Sequence, residues 1–120
     1  MLTRLIRPVT TISKELAMAM PTIKCGVSEM PVVGLGTWQS EPGAVTAAVE
    51  HALNNGYKHI DCAMVYCNEG EVGSAFNKVF SAGTVKREEV FVTSKLWLTY
   101  QRPDKVRQRC EHNFDLFVQI

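Results

Sequence analysis

Three residues of this chain have the types and spacing for acid–base chemistry: Asp61, Tyr66 and Lys95. Asp61 ends an apolar, extended stretch, directly after Ile60, and Lys95 ends another, after Phe91-Val92-Thr93-Ser94. On adjacent parallel strands, the carboxylate and the ammonium converge at one end of a sheet. A lone buried charge costs several kcal/mol unless it is paired, so neither residue is filler there. One reading is a purely structural ion pair. Tyr66 favours another, because it follows Asp61 in the loop on the same face. A phenol beside an ammonium has its ionised form stabilised, so its pKa falls below the usual value of about 10. Such a tyrosine can give a proton to a carbonyl oxygen near neutral pH and accept one in reverse. Asp61 then holds Lys95 in place and keeps it charged.

The elements that position these residues follow a regular pattern from Thr22 onward. Thr22–Cys25 and Glu29–Val32 read as a hairpin about Gly26-Val27-Ser28. The apolar run Val32–Thr37 reads as a buried strand ending in glycines, where backbone comes close to something. A helix follows, with Ser40 as its cap, Pro42 in its first turn and Gly56 at its end. Its apolar stripe is Val45, Ala48, Val49, Ala52 and Leu53. Tyr57–Ala63 is the next strand, and Asn68 with Glu71 forms a capping box for a second helix. That helix repeats the stripe with Val72, Ala75, Phe76, Val79 and Phe80, and stops near Gly83. Val90–Leu96 is a third strand. Pro103 opens a weaker third helix with Val106, Cys110 and Phe114 as its apolar positions.

A hairpin followed by strand–helix units implies a parallel sheet covered by helices. An open dinucleotide-binding sheet and a (β/α)₈ barrel both fit that order. The first strand–helix turn decides between them: Gly34 and Gly36 supply G-x-G, but Gln39 stands where the third glycine of G-x-G-x-x-G belongs. The fold class expected is therefore α/β, as part of a (β/α)₈ TIM barrel. In a barrel, strand C-terminal ends carry the active site, which is where Asp61 and Lys95 fall.

Composition narrows the function classes. The 120 residues are 46% hydrophobic and 21% charged with net charge +1, which gives no case for nucleic acid or a membrane as partner. The four cysteines, Cys25, Cys62, Cys67 and Cys110, have no metal-like spacing, and read as reduced thiols in a cytoplasmic protein. Cys67 has a lesser alternative as an oxidation-sensitive thiol beside Lys95. His51 and His59 read as structural, with His59 turned away from Asp61's neighbours. Residues 1–19 carry Arg4, Arg7 and Lys14 against Glu15 alone, so they form either a disordered extension or a mitochondrial transit-like segment.

Three motifs then become specific. Gly56–Glu69 reads G-Y-K-H-I-D-C-A-M-V-Y-C-N-E, preceded by V-G-L-G-T-W at Val33–Trp38 and followed by T-S-K-L-W at Thr93–Trp97. In this order and spacing they resemble the aldo-keto reductase family, from about Thr22 to Pro103. The resemblance implies a (β/α)₈ barrel with a hairpin across its floor, and reduction of aldehydes or ketones with NADPH and without metal. It implies Tyr66 as proton donor, Lys95 acting on it and Asp61 paired to Lys95. It places Gly36, Thr37, Trp38 and Asp61 beside the cofactor, and Trp38, Val65 and Tyr66 around a small-molecule carbonyl substrate. Full-length members of the family are usually monomeric.

Beyond Pro103 the resemblance weakens. Asp115-Leu116-Phe117-Val118 reads as the start of a fourth strand, but Gln119-Ile120 stands where the family has a histidine. His112 lies in or just after the third helix and does not replace it. A whole barrel needs about 250 residues, so residues 20–120 are expected to form its truncated N-terminal part, lacking the principal clamp on NADPH. Such a part is expected to have little activity alone, and its open sheet edge to favour self-association. The alternative is a non-catalytic partial barrel that acts as a binding fragment.

Overall fold

The computed structural model describes residues 20–117. The predicted extension at 1–19 and the last three residues of the predicted fourth strand lie outside them. β1 (Thr22–Cys25) and β2 (Ser28–Pro31) pair antiparallel, with Cys25 opposite Ser28. Gly26 and Val27 close the turn, and Gly26 adopts φ +62, a left-handed conformation that glycine takes without steric cost. This tighter turn starts β2 one residue earlier than the sequence suggests.

β3 (Leu35–Gly36), β4 (His59–Asp61) and β5 (Phe91–Thr93) form a separate parallel sheet in chain order. Leu35, Ile60 and Val92 share one row, and Gly36, Asp61 and Thr93 the next. The ladders are shorter than the predicted strands because the chain leaves the sheet soon after each of these rows. Strand side chains alternate between faces. Ile60 is fully buried on the helix side, so His59 and Asp61 share the opposite face. His59 thus turns away from Asp61's strand neighbours, Ile60 and Cys62, and lies on the face of Asp61 itself. Its Nδ1 lies 2.9 Å from the Pro31 carbonyl and its Nε2 3.0 Å from the Thr93 hydroxyl, pinning the hairpin to the sheet. Gly34 lacks a side chain for a reason: a Cβ there would meet the His59 ring at 2.9 Å.

Three helices cover the sheet's other face: α1 (Ala44–Asn54), α2 (Glu69–Ser81) and α3 (Pro103–Phe117). The predicted stripes of α1 and α2 meet each other and the sheet. Val45, Val49, Leu53, Val72, Ala75, Phe76 and Val79 join Ile60, Cys62, Val85 and Val90 in one core. Each large apolar side chain buried there is worth about 1.5–3 kcal/mol against exposure. Ala48, predicted in the stripe, lies exposed at its edge.

The helix ends depart from the sequence reading. Ser40 does not cap α1. Gly43 does, at φ +82, and its N–H donates to Glu71 Oε2 at 2.9 Å. Asn68 and Glu71 form no capping box, because both side chains reach outward to the α1 side of the fold; Asn68 Nδ2 donates to the Thr37 carbonyl at 2.8 Å. Long-range partners win over local capping in both cases.

The third helix is also longer than expected. Asp115, Leu116 and Phe117 are its final residues rather than the start of a strand, since Phe117 continues the helical spacing and packs on Phe76 at 5.9 Å between ring centroids. The side it turns inward carries Arg109 and Asn113, while Phe114 of the predicted apolar line is 67% exposed. α3 crosses α2 closely enough that a Cβ at Gly73 would collide with the Leu116 carbonyl. Among the described residues no helix is long and apolar enough to cross a membrane, and no three potential metal ligands cluster.

Candidate active site

The C-terminal ends of β3, β4 and β5 deliver the site. Asp61 is the last residue of β4, and Lys95 follows β5 by two residues. A short 3₁₀ turn at Met64–Tyr66 then lifts Tyr66 over the strand ends. Cys67 follows at φ +56, an uncommon conformation for a non-glycine residue, and sends the chain directly into α2.

Lys95 Nζ is the hub. It donates to Asp61 Oδ1 and Oδ2 at 2.7 and 2.8 Å, to the Cys62 carbonyl at 2.9 Å and to Tyr66 OH at 3.3 Å. An ammonium has three protons. One shared across the carboxylate, one on the carbonyl and one aimed at the phenol oxygen account for all of them. The phenol's own proton is thereby left to point into the open site. Lys95's pKa lies above the ordinary lysine value. Burial works against its charge most strongly of any one influence, but hydrogen bonds and charge from Asp61 and Tyr66 together outweigh it.

A second set of bonds fixes the floor. Thr37 is 1% exposed, and its N–H and hydroxyl both donate to the Asp61 carbonyl, at 3.1 and 3.0 Å. Thr37 therefore steadies the strand end with its side chain. Trp38, the next residue, is 68% exposed and stacks near Tyr66 with ring centroids 6.3 Å apart. Val65 is exposed on the Tyr66 turn, and Gly36 has open space above its α-carbon. The structure thus gathers Asp61, Tyr66 and Lys95 in bonding contact, with Trp38 stacked near Tyr66. Cys62 lies beneath, its thiol pushed up to about 12, chiefly by burial and further by the charges of Glu69 and Asp61, against the pull of Thr37 and Lys95. It is a packing residue.

Two contributors are not evident in the sequence. Asn68, buried beside the site, ties α2 to the Thr37 loop. Glu69 is also buried, bonding Ser94 at 2.5 Å and Arg109 at 3.0 Å. The one available signal was charge in an otherwise apolar setting: a glutamate between a capping residue and a buried stripe needs a partner. Its partner lies 40 residues away.

A three-stranded parallel βα array, with a hairpin docked on it, thus carries a tyrosine–lysine–aspartate cluster at its strand ends. The profile of the aldo/keto reductase family matches residues 32–118, and the chain belongs to that family. Aldo-keto reductase family 1 member A1 of mouse is 58% identical over 79 residues, which cover 65% of this chain and 24% of that protein. An aldo/keto reductase of the cyanobacterium Synechocystis is 51% identical over 78 residues, covering 65% and 24% respectively. The solved aldose reductase of Schistosoma japonicum superposes with a TM-score of 0.71 at 50% identity, over 75% of this chain and 30% of that one. The chain spans about a quarter of the length of the curated relatives it matches.

Proposed function

We propose that this segment is the proton-delivering part of an NADPH-dependent reductase that converts aldehydes or ketones to alcohols. The observation that carries the reading is Lys95 Nζ held between Asp61 and the Tyr66 oxygen. Tyr66 is the proton donor. Its hydroxyl hydrogen passes to the carbonyl oxygen of a substrate resting against Trp38 and Val65. Lys95, already donating toward the phenol oxygen, supports that oxygen as its proton leaves, and Asp61 holds Lys95 on station. Together these steps supply the proton that turns the reduced carbonyl into a hydroxyl group.

The residues present fit a nicotinamide nucleotide. Lys95 uses one acceptor position on each Asp61 oxygen, and a carboxylate has about four, so positions remain for a ribose hydroxyl. Gly36 leaves its side of the strand end clear for a flat ring, with Trp38 beside it. When bound, NADPH supplies the hydride. The test is consumption of NADPH with an aliphatic or aromatic aldehyde by the full-length protein, followed by absorbance. Turnover should fall about 10²–10⁴-fold in Tyr66→Phe, and equal rates in the two proteins would rule the reading out.

A further inference from the structure

We infer that Glu69 and Ser94 are positioning residues that set the separation of Lys95 from Tyr66. Lys95 and Tyr66 stand on different segments, the end of β5 and the turn before α2, and their polar atoms are 3.3 Å apart. That is near the outer limit for a hydrogen bond, so a few tenths of an ångström would break it. The backbone joins the two segments through the Cys62 N–H and the Thr93 carbonyl at 2.8 Å, but nearer to Lys95 and Tyr66 it loosens, the Met64 N–H meeting the Lys95 carbonyl at a long 3.4 Å.

Side chains adjoining both residues do more. Ser94 precedes Lys95, and its hydroxyl donates to Glu69 Oε1 at 2.5 Å. Glu69 opens α2, three residues after Tyr66. The bond therefore staples the lysine's segment to the tyrosine's, one residue from the first and three from the second. It is held from behind. Arg109 Nη2 donates to Glu69 Oε2 at 3.0 Å, and Asn113 Nδ2 donates to the Ser94 hydroxyl at 3.1 Å. Side chains of Glu69 and Arg109 are only 4% and 11% exposed. A carboxylate this buried has its oxygens fixed in direction, so Ser94 has one place to go. The two groups never touch the substrate and act through Lys95.

The experiment measures Lys95 itself in the full chain. Its Cε NMR signal, assigned by loss in Lys95→Met, gives its titration midpoint, and steady-state kinetics give kcat and KM. Only the kinetic arm rests on the reductase reading. Ser94→Ala removes the staple without changing charge, and Glu69→Asp keeps the charge but shortens the reach. In each the Lys95 midpoint should fall from its raised value toward the ordinary one. Turnover should drop about tenfold to a hundredfold with KM little changed, as expected for a small misplacement of a catalytic group. Ser94→Thr, which keeps the hydroxyl, should restore both. A midpoint lowered in either variant supports the staple. Midpoints unmoved in both folded variants overturn it, whatever turnover does. A lowered midpoint in a protein whose wild type reduces nothing would leave the staple standing and remove the reductase reading.

Discussion

Two ion pairs stand close together at this strand end and serve opposite ends. Lys95–Asp61 is open to water, with side chains 47% and 37% exposed. Glu69–Arg109 is sealed, at 11% exposure for the arginine and 4% for the glutamate. An exposed pair contributes about 0.2–1 kcal/mol, so little stability depends on it and its groups stay free to react. A buried pair contributes little net stability as a pair, yet breaking it leaves an uncompensated charge inside the protein. The open pair carries the proposed chemistry and the sealed pair the proposed frame.

Substitutions that separate the two pairs sharpen that contrast. The largest effect belongs to the open one. Lys95→Met in the full-length protein should cut turnover about 10²–10⁴-fold while cofactor dissociation barely changes; an effect confined to KM would contradict its place on the proton path. Next comes the sealed pair. Arg109→Ala should destabilise by about 3–5 kcal/mol, read from urea unfolding, because Glu69 is left alone in the interior. Replacing both partners by leucine or methionine should recover most of that loss, and if it does not, the arginine stem rather than its charge is what matters.

A smaller loss is expected at the helix crossing behind the frame. Gly73→Ala should cost about 1–3 kcal/mol, since α3 must back away from the Leu116 contact. The smallest effect concerns pH. Lys95 has a raised pKa in the folded state. The stability this confers is fully present below the unfolded lysine value of about 10.4 and is lost as pH rises through the folded value. Asp61→Asn should flatten that alkaline decline in thermal melts while altering neutral stability by well under 1 kcal/mol. A steep decline that persists in the variant would point to another group.

The open pair was legible in the sequence and the sealed pair was not. Asp61 and Lys95 end two apolar strands, and parallel strands with similar boundaries bring their ends together whatever the rest does. The stripes of α1 and α2 were legible for a similar reason, since apolar periodicity states which side faces inward. α3 misled because its inward side mixes Phe117 with polar residues: Arg109 and Asn113 are half-buried against Glu69 and Ser94, partners that local spacing does not reveal. The same holds for Asn68 and Glu71, whose local capping signal was overruled by contacts 31 and 28 residues away. Charge and amide groups choose partners in space, and sequence patterns record neighbours along the chain.

The His59 bridge carries a consequence for the hairpin. The Pro31 carbonyl can only accept, so Nδ1 bears the imidazole hydrogen, and Nε2 in the neutral ring accepts from the Thr93 hydroxyl. One tautomer is thus selected by two segments at once, the end of the hairpin and β5, and the imidazole acts as a latch between them. Amide hydrogens of β1 and β2 should exchange through latch release well before those of β4 become accessible.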